Sequence, residues 1–250
     1  MNSHRRVKTV CALLGALAAG GAAQADVRIG FSGPLSGPQA VVGQDQADGF
    51  ALALEQLGGK LGGQATTVIK EDDQLKPEIG VQIVRKFLER DRVDAIVGLG
   101  YSNVLMATLR RLSESGVPAI ATSAGPSPMA GSQCAANVFS VSFQNDGFGE
   151  AIGKLMHEMG YKNVYLMAPN YQAGKDMLAG FKRFYKGAVA AGVYTQVNQA
   201  DYSAEITQLQ SSKVLGHGTM SINDMFTQVV NTVGVQTQQI KTAATAQGNL

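Results

Sequence analysis

An α/β fold built on parallel strands is the architecture this sequence predicts, and three observations predict it. Short apolar runs alternate along the chain with amphipathic stretches at helical spacing, the pattern of repeated βα units. Runs such as Ala95 to Leu99 are continuously apolar rather than alternating, as strands buried on both faces are. Glycine, proline and serine gather between these segments, where turns are needed.

Taken in order, Val27 to Phe31 reads as the first strand. A Gly/Pro/Ser loop over Ser32 to Gly43 follows, then a helix with Phe50, Leu54 and Leu57 on one face. Thr66 to Ile69 is the second strand. Pro77 suits the first position of the next helix, on which Ile79, Ile83, Val84, Phe87 and Leu88 recur at 3.6-residue spacing. Ala95 to Leu99 is the third strand, Asn103 to Glu114 its helix, and Pro118 to Ala121 the fourth strand. A second βα series is expected after Val138 to Val141. It comprises a helix near Gly149 to Met159, a strand over Asn163 to Ala168, and a helix striped by Met177, Leu178, Phe181, Phe184 and Tyr185 as core packing. Tyr194 to Val197 reads as one more short strand and Ser203 to Gln210 as one more helix. From Lys213 the pattern fails. A helix near Ile222 to Val230 followed by a disordered tail is the expectation for this Gln/Thr/Asn-rich segment. There is no repeat at a solenoid period.

The first 25 residues carry the marks of an export signal. Arg5, Arg6 and Lys8 form a basic region, Thr9 to Ala23 an apolar one, and Ala23-Gln24-Ala25 a small-residue cleavage site. The apolar run is too short to span a bilayer, and Cys11 lacks the surroundings of a lipidated cysteine. Without the three basic residues the formal charge of +2 becomes −1 over 225 residues. That balance supplies no basic footprint for nucleic acid. Cys134 is then the lone cysteine, so no intramolecular disulfide forms, and it is expected to be a buried, inert thiol.

Few motifs suggest chemistry. Gly98-Leu99-Gly100-Tyr101-Ser102-Asn103 stands between a buried strand and a helix, the place of a dinucleotide fingerprint, but Asn103 replaces the third glycine. What remains is a helix N-terminus and a serine hydroxyl, suited to a small carboxylate, or a plain turn with Ser102 as N-cap. Ala173-Gly174-Lys175-Asp176 is not a phosphate loop, since Pro169 and Asp176 occupy the places of its glycine and hydroxyl residues. Asp72-Asp73 has no further ligands for a metal and reads as a solvated loop. His4 lies in the leader, His157 within a helix and His217 in the irregular tail. No GxSxG, HExxH or CxxC pattern occurs, so no catalytic residue, cofactor or metal is expected, and an enzyme is disfavoured.

Six segments in order give the chain a family likeness. They are Gly33-Pro34-Leu35-Ser36-Gly37-Pro38 with Gly43, Glu71-Asp72-Asp73 with Pro77, and the turn from Val97 to Ser102. Val117-Pro118-Ala119-Ile120, the Ala121 to Pro128 loop, and Asn163-Val164-Tyr165 to Gly174 complete the set. Together they resemble the leucine-binding-protein family, the type I periplasmic solute-binding proteins of ABC importers. The resemblance implies two parallel-sheet α/β lobes that close on a ligand, the second lobe incomplete here. It divides the chain into a signal peptide (1–25), a first lobe (26–142), a partial second lobe (143–212) and a divergent tail (213–250). It also implies a monomer in the periplasm, a small-molecule carboxylate as ligand and an inner-membrane ABC permease as partner.

By the same resemblance Ser102 holds the ligand carboxylate, and the backbone at Ala124 and Gly125 meets its α-substituents. Val42 lines the side-chain pocket, with Tyr171 or Ala173 facing it from the second lobe; Tyr101 and Ser127 are further ligand-binding candidates. Small residues at Val42 and Ala173 imply a pocket wider than one shaped for leucine. The Ala121 to Cys134 loop is similar to a subgroup associated with aromatic carboxylates, so amino acid and aromatic acid both stay open. A ligand sensor on the same fold and a non-binding fragment are the other readings, with a nucleotide-dependent enzyme the distant one, since it needs phosphate-cradling glycines that the sequence lacks. A second lobe that ends early is expected to be only marginally folded.

Overall fold

The computed structural model describes residues 26–213, 215 and 219–248, and the expected signal peptide and His217 lie outside them. Two parallel sheets organise the chain. The larger has six strands in the order β2-β3-β1-β4-β5-β6: β1 (Val27–Gly33), β2 (Lys60–Leu61), β3 (Gln64–Asp72), β4 (Ala95–Gly98), β5 (Ala119–Ala121) and β6 (Val138–Ser140). All neighbours are parallel except the β2–β3 hairpin at one edge. The smaller sheet pairs β7 (Asn163–Pro169) with β8 (Ala188–Thr195), also in parallel.

Both faces of the larger sheet are covered, which is why the central strand β4 (Ala-Ile-Val-Gly) is apolar throughout. Ile29 and Phe31 point to one face, where α1 (Ala40–Gln56) packs Ala47 and Phe50 over them. Gly30 points to the other, and a side chain there would stand within 2.8 Å of the Phe87 ring. That face belongs to α2 (Pro77–Lys86), which runs into a π-helical turn at Phe87–Asp91, and to α3 (Ser102–Ser115). Val84, Phe87, Ile96, Val104, Leu105 and Leu112 form its fully buried centre. Pro77 stands at the start of α2 as the spacing predicts.

In the second lobe α4 (Asn145–Glu158) and α5 (Gln172–Phe184) pack together across three glycines. A side chain at Gly149 would lie 2.9 Å from the Met177 carbonyl carbon, and one at Gly153 3.0 Å from backbone of Phe181. One at Gly180 would lie 2.9 Å from the Asp146 carbonyl carbon. Arg183 on α5 closes the contact through ion pairs with Asp146, at 3.2 Å, and Glu150. Leu166, Ala168, Leu178, Phe181 and Tyr185 make a small core beneath. The outer face of α4 is bare: Phe148, Ile152, Leu155 and Met159 are about half exposed. Beside them an apolar groove of about 400 Å³ runs along β7, between Ile152 and Met156 of α4 and Met177 of α5.

Several expectations need correction. The first helix begins at Ala40, inside the predicted loop, and α4 begins at Asn145, four residues before the predicted helix. The strand expected over Tyr194 to Val197 is Ala188–Thr195, because the run pairs with β7 along its whole length. Met177 and Phe184 of the predicted core stripe are partly exposed, Met177 at the open groove along β7. After α6 (Ser203–Ser211), the tail is not disordered past Val230: α7 (Ile222–Gly248) is one helix of 27 residues. Cys134 is exposed rather than buried, since it sits in a turn after the 3₁₀ segment Ser127–Ala130.

Candidate functional site

The chain ends of β4 and β5 and the N-terminus of α5 converge where the two lobes meet. The turn after β4 is shaped by backbone proximity. Gly98 has φ +104, and a side chain on it would be 3.0 Å from the Ser32 carbonyl carbon; Leu99 also adopts a left-handed φ of 48°. The Leu99 N–H donates to the Ser32 carbonyl at 2.7 Å, locking the turn to β1. Gly100 leaves room for Gln46, whose amide bridges the next loop. Thr122 Oγ1 donates to Gln46 Oε1 at 2.5 Å, and Gln46 Nε2 donates to Ser123 Oγ at 3.1 Å. The glycines of this motif therefore admit a strand end and a glutamine.

Ser102 is not the N-cap. Tyr101 holds that position with extended φ and ψ, and Ser102 is the first residue of α3, nearly inaccessible. Its Oγ accepts a hydrogen bond of 3.0 Å from Asn145 Nδ2. The same Nδ2 lies 3.0 Å from Asp176 Oδ2, which also accepts from the Ser127 N–H at 3.0 Å; Gln172 Nε2 donates to Oδ1 at 2.8 Å. Gly125 joins through its carbonyl, which accepts from the Asn145 N–H at 2.8 Å, and a side chain at Gly125 would meet backbone of Phe143. Ser127 Oγ is buried and has no hydrogen-bond partner among the described residues.

A second set of residues closes the other side. Tyr101 Oη donates to Gln39 Oε1 at 2.7 Å, and Gln39 Nε2 reaches Asn198 Oδ1 at 3.2 Å, from α1 to the loop after β8. Burial pushes the Tyr101 phenol above its ordinary value, and Tyr171 and Asp73 facing it add to the effect. Tyr171, the N-cap of α5, is likewise raised by burial. The two phenols are thus neutral groups brought together from opposite lobes.

Asp73 overturns the expectation of a solvated loop. It is buried, accepting from the Leu75 N–H at 2.9 Å and Ser32 Oγ at 3.1 Å. Burial raises its carboxyl above the usual value, the two hydrogen bonds oppose that, and the neighbouring Asp72 charge adds to it. Asp72 is also raised by burial, but bonds from Ser36 Oγ and from the N–H groups of Gln74 and Leu35 outweigh this and hold it low. The pair fixes the Gly33–Gly37 loop to β3. Among the described residues no group of three or more His, Cys, Asp or Glu is placed to hold a metal.

Of the eight candidates, Ser102, Gly125 and Ser127 meet around Asn145 and Asp176. Tyr101 and Tyr171 come from opposite lobes and are near enough for one phenol to influence the other electrostatically, while Ala124 is buried beneath the loop, its carbonyl accepting from Ser140 Oγ at 2.8 Å. Ala173 is buried in the first turn of α5. Val42 stands apart, two-fifths exposed on α1. Sequence reasoning missed Asn145, Asp176, Gln39 and Gln46. The one available signal was an acid, Asp176, one turn after Gln172 at a glycine-containing helix start.

Comparison with known proteins bears on the family and the fold. A family model described as periplasmic binding protein matches residues 26–249. The Leu/Ile/Val-binding protein homolog 2 of Brucella abortus (strain 2308) is 29% identical over 192 residues, 76% of this chain and 47% of that protein. The Leu/Ile/Val-binding protein BraC3 of Rhizobium johnstonii is 29% identical over 218 residues, 83% of this chain and 58% of its own. Among solved structures, an R. palustris ABC-transporter solute-binding protein in complex with benzoate aligns with a TM-score of 0.71 at 29% identity. The match covers 75% of this chain and 53% of that one. The branched-chain amino acid binding protein LivJ of Streptococcus pneumoniae, in complex with isoleucine, shares the fold with a TM-score of 0.66 at 24% identity, over 75% and 54%. The chain spans about half the length of the relatives it matches. Its two lobes have the type I periplasmic-binding-protein architecture, the second with two paired strands among the described residues, and the chain belongs to the periplasmic binding protein family.

Proposed function

We propose that this chain is the ligand-capturing part of an ABC-importer substrate-binding protein that holds a small carboxylate between its lobes. Its signal peptide (1–25) directs it to the periplasm, and an inner-membrane permease receives the ligand from a single copy. The first lobe is 26–142 and the partial second lobe 143–212, with 213–250 a divergent tail. No bond is made or broken: capture is lobe closure.

The observation that carries this reading is the meeting of two loops of the first lobe, after β4 and after β5, with the N-terminus of α5. The Ser102 hydroxyl, the Ala124–Gly125 backbone and the orphaned Ser127 hydroxyl come from the carboxyl ends of parallel strands, where open α/β sheets bind ligands. Tyr101 and Tyr171 supply neutral, partly buried rings for the ligand's body, and the small Ala173 leaves room at the start of α5. Relatives named for leucine, isoleucine and valine, and one bound to benzoate, support a carboxylate as the common element.

A thermal-shift screen of residues 26–250 against leucine, isoleucine, phenylalanine, benzoate and 4-hydroxybenzoate tests this. Ligand at 100 times its dissociation constant adds about 2.7 kcal/mol. A stabilising response to one acid class identifies the ligand class. A cooperative melt unmoved by every acid would rule out a carboxylate receptor. No cooperative melt would favour the second reading, a non-binding fragment, for which the bare face of α4 speaks.

A further inference from the structure

We propose that Asn145 is the positioning residue of the ligand site: it turns the Ser102 hydroxyl proton toward the cleft and ties that orientation to the second lobe. The inference rests on the receptor reading above. Asn145 is the first residue of α4, where the chain has just passed from one lobe to the other, and it is held at three points. Its N–H donates to the Gly125 carbonyl at 2.8 Å, and its Nδ2 donates to Ser102 Oγ and to Asp176 Oδ2, both at 3.0 Å. One residue thus joins both first-lobe ligand loops to α5.

The chemistry runs in one direction. Asp176 is nearly inaccessible, and its other donors are the Ser127 N–H and the Gln172 amide, all neutral. A carboxylate accepts only, so it forces the Asn145 side chain to present NH₂ rather than C=O. The second proton of that NH₂ then goes to Ser102 Oγ, which must accept it. Ser102 has one proton of its own and donates it to no acceptor among the described residues. That proton is left for the ligand carboxylate, and a charge-assisted bond is the strong kind. With Asn145 removed, the hydroxyl is free to rotate and to spend its proton on Asp176 or water.

The test is a double-mutant cycle read by calorimetry with two probes, benzoate and the uncharged benzamide. The wild type should prefer benzoate. Asn145→Ala and Ser102→Ala should each weaken benzoate at least tenfold and erase the preference, and the double variant should bind no worse than Ser102→Ala alone. A merely structural Asn145 would weaken both probes alike, and losses that multiply in the double variant would overturn the proposal. A wild type that binds neither probe would count against an aromatic-acid receptor instead. The melting temperatures of the same four proteins without ligand then decide the positioning contact: the double variant should melt with the less stable single one, and fully additive shifts would refute it.

Discussion

Gly149 offers a sharp test of how the second lobe is held together. A methyl group there would stand 2.9 Å from the carbonyl carbon of Met177 and the amide nitrogen of Phe181, and closer still to the Met177 carbonyl oxygen. These are backbone atoms of α5, which cannot turn aside as a side chain can, so α4 must move away by roughly an ångström. Alanine adds about 1 kcal/mol of helix propensity over glycine, while overpacking costs typically 1–3 kcal/mol. The cost should prevail here, because the core beneath has only five buried side chains and little to spare. Gly147, two residues earlier on the same helix, has nothing within 4 Å, so its substitution keeps the propensity gain alone. Gly149→Ala should therefore lower stability and Gly147→Ala raise it, a separation of about 1–3 kcal/mol, the overpacking cost alone. For a chain of this size that is roughly 2–12 °C between their melting temperatures. Circular-dichroism melts of both variants beside the wild type give the answer. Shifts of the same sign would refute the claim that α4 and α5 meet through glycine contacts.

Two further outcomes follow from burial. Amide hydrogens of β7 and β8 should exchange much faster than those of β1 and β4, since the two-stranded sheet has free edges and a bare α4 above it; equal protection would contradict a marginal second lobe. The two adjacent acids should pull stability in opposite directions with pH. Asp73, raised in the fold, costs stability above its raised value and relieves that cost as pH falls toward the ordinary value of 3.8. Asp72, lowered in the fold, contributes stability above 3.8 that is lost as pH falls below it. Melting temperatures from pH 3 to 7 should thus flatten above 3.8 in Asp73→Asn and below 3.8 in Asp72→Asn, and the reverse assignment would refute the two environments.

The first lobe was legible because its strands and helices carry strong local signals. Ile29, Phe31 and Ile96 are apolar on strands buried between layers, and Ile83, Val84 and Phe87 mark the inner side of α2. β8 was nearly invisible, since Ala-Val-Ala-Ala-Gly-Val-Tyr-Thr is rich in residues that strands disfavour, and only its pairing with β7 makes it one. α7 was cut short in the reading because its apolar spacing fades beyond Val235 and Gly234 interrupts it. The chain outlasts that signal as a helix exposed along its described length. At the site, Ser102 could be picked out from its turn, and Tyr171 from the family likeness. Asn145 and Asp176 could not, because their roles arise only when residues 31 apart in sequence, on α4 and α5, meet each other beside Ser102 of the first lobe. Asp73 was misread for a related reason: nothing local shows that Ser32, 41 residues away, covers it.

The central claim is that a carboxylate lies between the lobes on Ser102. A crystal structure of the protein with the strongest responder of the thermal-shift panel tests it most directly. The account predicts the ligand carboxylate within hydrogen-bond reach of Ser102 Oγ and the Ala124–Gly125 backbone, with Tyr101 and Tyr171 on either side of its body. A ligand seated instead in the apolar groove along β7, or a carboxylate turned away from Ser102, would contradict it.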